Sequence, residues 1–296
     1  MKIAMVSEHA NPLATLHEPS ANGQQIHVAA LAEALGRGGH RVTVYTRGTA
    51  RAAKRPVVLA PGVMVEHVPA ELCQKPSPEE DLPRLADFGA YLARQWALDP
   101  PAVVHAHSWT SGLSSLVGAR ELTLPVVQTF HALGLAPSRD ARTHTSSGGV
   151  DCPSLLSSRL RLERAIGHDA AWVLAVSSTE AAELLQLGVK RRSLSVIPAG
   201  VDTERFTPYG PVASRRNRPR LLTVNALAEH HGVETIILAL SRIPGAELIV
   251  AGGPARAGLG GDPEVKPEFA QFSAYFRVGG SRRVRCVGRR VAGLRR

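Results

Sequence analysis

Cysteine is scarce in this chain: Cys73, Cys152 and Cys286 are the only three in 296 residues, and no two of them form a C-x-x-C pair. That spacing excludes a disulfide framework and a cysteine-ligated zinc site. Long apolar runs are also missing, and nothing approaches the length of a membrane span. The apolar opening, Met1 to Val6, meets Ser7 and Glu8 at once and is too short for the core of a secretory signal. The expectation is a soluble, cytoplasmic protein with no transmembrane segment. Acidic residues are absent from positions 277–296, which hold eight arginines. Setting those aside leaves 27 basic against 25 acidic residues, so most of the net charge of +10 belongs to the tail and the body is nearly neutral. The tail also lacks interleaved aromatic residues on which bases would stack, so no nucleic-acid partner is expected.

What is present is globular in character, with 44% hydrophobic and 20% charged residues. The length suggests two domains. Short apolar runs alternate with longer stretches of helical spacing, the pattern of βαβ units around a parallel sheet. Residues 2–7 read as a strand, 24–35 as a helix ended by glycines, and 41–46 as the next strand. Further strands are expected at 63–68, 102–107, 125–130, 172–177 and 194–199. Ser177 and Glu180 fit a capping box that opens a helix reaching Gly188. The stretch 134–156 breaks the rhythm with Pro, Ser, Gly, Arg and His and reads as a long irregular segment. The opening pattern then repeats: 206–219 is a polar, proline-flanked linker, residues from 220 begin a new strand, 232–243 has helical spacing, and 247–251 closes another strand. The expected fold is therefore α/β, with an N-terminal Rossmann-like domain over 1–205 and a partial second one over 220–296. Tandem domains of this kind are expected to leave a cleft at the carboxyl ends of their strands.

Three groups of residues are candidates for chemistry. Asn22, Gly23 and Gln24 stand where the first loop meets its helix, and the free N–H groups of a helix start form an anion site. Alone, a glycine at such a junction is ordinary turn chemistry. His105 and His107 alternate along one strand and share a face. His105 reads as a hydrogen-bonded strand-end histidine, whereas His107, just before Ser108 and Trp109, is better placed to meet a ligand. His131 follows the strand 125–130 at the corresponding place, so two strands bring histidines to one rim. An H-x-H pair also ligates metal in hydrolases, but no third and fourth ligands stand at matching strand ends, so no metal is expected.

Together these pieces resemble the family-4-like retaining glycosyltransferases of GT-B fold, especially the actinobacterial type. The resemblance rests on MKIAMVSEHA, GQQIHVAALAEAL, GHRVTVYTR, VVHAHSW, PVVQTFHALG, RLRLERAIGHDAAWVLAVSS and IPAGVDTERFTP, which occur in family order across residues 1–254. It implies a nucleotide-diphosphate sugar donor held mainly by the C-terminal domain, a small-molecule or glycan acceptor held mainly by the N-terminal one, retention of configuration, and no cofactor. By position, Gly23 with Asn22 and Gln24 would meet the donor diphosphate, His131 would sit beside the transferred sugar as the catalytic position, and His107 with Trp109 would shape the acceptor side.

The chain departs from the family pattern in its second half. Where the family carries an arginine and then a lysine toward the diphosphate, this sequence has Ala226 and His231. The glutamate pair of the donor pocket is absent, and the arginine-rich ending reads as a frameshifted, truncated terminus. An impaired glycosyltransferase is the leading expectation. A non-catalytic acceptor-binding or regulatory remnant, or a metal-dependent hydrolase using His105 and His107, are the alternatives.

Overall fold

The computed structural model describes residues 1–14, 23–48, 55–69, 78–134, 153–204, 206–210, 219–224, 232–240, 242–243, 245–251 and 284–287. They fall into two compact units, one ending at Gly200 and the other beginning at Val201.

In the first unit, β1 (Lys2–Val6), α1 (Gly23–Arg37) and β2 (Arg41–Arg47) form the opening crossover. They are followed by β3 (Val57–Ala60), β4 (Val63–Val68), α2 (Pro78–Leu98), β5 (Val103–His107) and α3 (Trp109–Ala119). Next come β6 (Val126–Thr129), α4 (Pro153–Asp169), β7 (Trp172–Ala175), α5 (Ser178–Gln186) and β8 (Leu194–Val196). The eight strands pair in the order β3-β4-β2-β1-β5-β6-β7-β8. Every pairing is parallel except β3 with β4. β3 is an edge strand that apolar periodicity alone did not separate from its surroundings.

β1 shows why helices cover both faces. Ile3 and Met5 join Val28 and Ala32 of α1 in one apolar cluster, while Ala4 and Val6 join Phe88, Leu92 and Trp96 of α2 in another. Successive strand side chains point to opposite faces, so a strand buried on both reads as a continuous apolar run. α2 and α3 meet through glycines. A Cβ on Gly118 would lie 2.9 Å from Leu92 Cβ and 3.0 Å from the Gly89 carbonyl oxygen, and one on Gly89 would lie 2.7 Å from Val117 Cγ1.

Two expectations need correction. The irregular segment predicted to reach residue 156 ends earlier, because α4 already begins at Pro153; a proline suits the first turn of a helix, where its missing N–H costs nothing. The capping pair at α5 is also offset. Ser177 Oγ accepts from the Glu180 N–H at 3.1 Å, but the Glu180 carboxylate accepts from Val176 rather than from Ser177.

The second unit contains β9 (Arg220–Val224), α6 (Val233–Leu240), β10 (Glu247–Ala251) and β11 (Val284–Val287), with the three strands parallel in the order β11-β10-β9. Val233, Ile237 and Leu240 of α6 pack on Leu248 and Val250. Among the described residues no helix is long and apolar enough to cross a membrane.

The glycine contacts predict the outcome of two substitutions. Gly118→Ala should lose about 1–3 kcal/mol in denaturant unfolding, because backbone and Leu92 Cβ must both give way. Gly23→Ala, which meets nothing within 4 Å, should leave stability close to wild type.

Candidate functional site

The site lies where the strand order reverses direction, at the carboxyl ends of β1 and β5, the usual place for a ligand in an open α/β sheet. Glu8, just past β1, is buried and held from β2, from α3 and by its neighbour His9. Its carboxylate pairs with Arg47 at the end of β2 and lies 3.6 Å from His9 Nδ1, and its N–H donates to Ser111 Oγ of α3 at 2.9 Å. Burial works to raise the Glu8 carboxyl, but the hydrogen bonds and charges of His9 and Arg47 prevail and hold it below the usual carboxylate range.

Four imidazoles gather beside it. His107 Nδ1 lies 3.0 Å from His131 Nε2, with the two rings stacked. His27, on the second turn of α1, stands edge-on to both, with ring centroids 5.8 Å from His107 and 5.1 Å from His131. His105 lies against His107, and its Nε2 hydrogen-bonds with Thr129 Oγ1 at 2.9 Å. His107 is wholly buried, whereas His27 and His131 are half-buried, so the cluster opens through the latter two. Burial, with smaller contributions from neighbouring imidazoles, pushes His105 and His131 down to about 4. The same causes hold His107 well below its ordinary value, and burial lowers His27. At neutral pH the cluster therefore offers uncharged donors and acceptors, suited to hydroxyl groups rather than to a strong anion.

The backbone here is strained in two places. Ser108 has φ 79° and ψ 164°, a region otherwise left to glycine, and His131 has φ 64°. Each is held by a buried polar side chain. Gln128 Nε2 donates to the carbonyls of Ser108 and Thr129, both at 3.0 Å. Glu163, fully buried on α4, accepts from the Gly134 N–H at 2.9 Å and from Arg159 Nε at 2.8 Å, while Arg159 also donates to the Ala132 carbonyl at 3.0 Å. The loop carrying His131 is thus clamped to α4.

The expected site residues therefore divide. His107 and His131 come together. Gln24, in the first turn of α1, donates its side-chain amide to the His107 carbonyl at 3.3 Å. Gly23 begins α1 and faces open space. Trp109 leans on the apolar cluster around Phe130 and Ile166. Asn22, Ala226 and His231 lie outside the described residues. Sequence reasoning missed His27, Gln128 and Glu163. The Arg159-to-Glu163 spacing of four on a helix was the available signal for Glu163; His27 gave none, since one histidine on an amphipathic helix looks like any polar residue.

The depressed histidines set a pH dependence. Their folded pKa values lie below the unfolded value near 6.5, so the unfolded chain binds more protons between about 4 and 6.5, and stability present above that window is lost as pH falls through it. The melting temperature should drop as pH is lowered across this range, and His105→Gln should make the drop shallower. An equally steep drop in that variant would show that other groups control it.

A family model described as Glycosyltransferase Family 4 matches residues 21–205. The chain is 29% identical over 272 residues to a D-inositol 3-phosphate glycosyltransferase of Mycolicibacterium smegmatis, covering 87% of this chain and 60% of that protein. It is 34% identical over 212 residues to one of Nocardiopsis dassonvillei, covering 70% and 48%. The chain thus spans about half to three-fifths of the length of these curated relatives. Its fold is similar to that of sucrose-phosphate synthase from Thermosynechococcus elongatus, with TM-score 0.76, 25% identity, and 97% of this chain and 70% of that one covered. It also resembles Anabaena HepE in complex with UDP-glucose, with TM-score 0.63, 16% identity, and 98% and 70% covered; that likeness concerns the fold alone.

Proposed function

The chain belongs to Glycosyltransferase Family 4, and on that footing we propose that it transfers a sugar from a nucleotide-diphosphate donor to an acceptor hydroxyl with retention of configuration. The observation that carries this reading is the family match across 21–205, which spans β1's neighbours, α1 and all four imidazoles. In the reaction the bond between the anomeric carbon and the diphosphate oxygen breaks, and a bond from that carbon to the acceptor oxygen forms on the same face. Attack from that face brings the acceptor hydroxyl next to the departing diphosphate oxygen, which takes its proton. The protein's part is positioning and electrostatic support.

We assign His131 to the transferred sugar, as the catalytic position. It is the half-buried, uncharged imidazole at the mouth of the cluster, and its loop is fixed by Glu163. His107 and Trp109 belong to the acceptor side, and Asn22, Gly23 and Gln24 to the diphosphate. The open space around Gly23 suits close approach of a phosphate to the start of α1. Residues 1–205 act as the acceptor-side domain and 220–296 as the donor-side one, joined by 206–219. D-inositol 3-phosphate, the acceptor in the names of the curated relatives, is the first to try.

Turnover should separate from folding at His131. His131→Asn keeps a residue that tolerates positive φ. It should lower turnover by about a hundredfold or more, the usual cost of one missing transition-state donor, while the melting temperature moves by only a few degrees. Unchanged turnover would overturn the assignment.

A second outcome concerns the donor. Among the groups described at the site, Arg47 is already paired with Glu8, leaving the α1 start to face two phosphates. A helix start contributes typically about 0.3–1 kcal/mol, whereas a hydrogen bond to a charged group is worth roughly 1.5–3. Calorimetry with UDP and GDP sugars should therefore show weak binding. Ala226→Arg with His231→Lys should tighten it by about tenfold or more. Absence of binding and transfer even in the restored chain would favour the non-catalytic remnant.

A further inference from the structure

We propose that His27, His107 and His131 form a binding site for one divalent transition-metal ion of the zinc class. One ring nitrogen from each lies within 4.8 Å of the other two. The His107 Nδ1 to His131 Nε2 separation of 3.0 Å subtends roughly 95° at an ion placed about 2.0–2.1 Å from each, between octahedral and tetrahedral angles. His27 completes the set from α1, its ring edge-on to the other two, and must move inward for all three nitrogens to reach bonding distance of one ion. His105 lies outside this set, with its Nε2 engaged by Thr129 Oγ1.

The chemistry of the set selects the ion. Among the described residues the set is three imidazoles without a carboxylate, which suits zinc, cobalt, nickel or copper and disfavours magnesium and calcium, which require oxygen. Three protein ligands among the described residues, with a fourth position taken by water, make the arrangement of open rather than closed sites. Two of the ligands stand at the ends of adjacent parallel strands, and the third is on a helix packed over the same sheet. Little ordering of the chain is then required on binding. The His107–His131 hydrogen bond does not complete the cluster by itself. His107 Nε2 is buried with no partner among the described residues, whichever ring of the pair carries the shared proton. An ion on Nδ1 would replace that hydrogen bond without adding another unsatisfied atom. It reaches the site through His27 and His131, the half-buried rings.

The site stands on the three imidazoles and not on the glycosyl-transfer reading. Only its consequence rests on that reading: an ion on His131 occupies the imidazole assigned to the sugar, so metal and turnover would exclude one another.

Equilibrium dialysis of the metal-stripped full chain against zinc chloride near neutral pH, with no sugar nucleotide present, tests the site directly. One ion per chain is expected, weakened at least tenfold in His27→Gln and in His131→Gln and unchanged in His168→Gln, whose ring is exposed. Cobalt in place of zinc should give the intense visible absorption of four-coordinate nitrogen ligation, a readout that the wild-type chain supplies even if a variant fails to fold. Failure to bind one equivalent, binding as tight in both ligand variants, or a weak six-coordinate cobalt spectrum would overturn the proposal. Turnover assayed separately without metal keeps this outcome distinct from the fate of the glycosyltransferase reading.

Discussion

The parallel pairing of β1 with both β2 and β5 is the constraint on which the rest of the site depends. Parallel strands need crossover connections, and the two series of crossovers leave β1 in opposite directions, so helices cover both faces of the sheet. The chain therefore leaves β1 and β5 toward opposite faces of the sheet, and α1 begins and His107 ends its strand at this junction. Glu8, Arg47 and Ser111 pin this junction from three elements at once.

Strain and its support form the second layer. A non-glycine residue in the conformation of Ser108, or in that of His131, costs of order 1–3 kcal/mol and persists only where its surroundings over-determine it. Gln128 supplies that support beneath Ser108 and Glu163 beneath the His131 loop, each a buried group whose bonds go to backbone. Gly112 fits this account, because a Cβ there would lie 2.3 Å from Gln128 Oε1. The histidine rim is thus presented on rigid strand ends, with the turns after them fixed from below.

Burial decides the charge of that rim. Four imidazoles close together would repel one another if protonated, and removing them from water disfavours the charged form further. The result is a neutral, polar cluster beside a paired Glu8–Arg47, at the end of the sheet where α1 begins. Such a surface suits hydroxyl-rich ligands, and it also provides bare nitrogen lone pairs.

Much of the first unit was readable from the chain itself. β1, α1, β2, the strand that ends in His107 and the one that precedes His131 each follow from local apolar periodicity and turn residues, and the alternation of strand and helix implied a parallel sheet. The ordered motifs indicated the family, and the corresponding strand-end positions placed His107 and His131 on one rim. The edge strand β3 was not legible, since four residues with half-exposed side chains carry no distinct period. Nor was the company that His107 keeps. His27 is 80 residues away in sequence and Glu163 is on another helix, and whether they meet this rim depends on how α1 and α4 dock on the sheet. Local sequence determines which elements form and which way their side chains alternate; the meeting of distant side chains, and the burial that shifts their pKa values, comes only from packing those elements together.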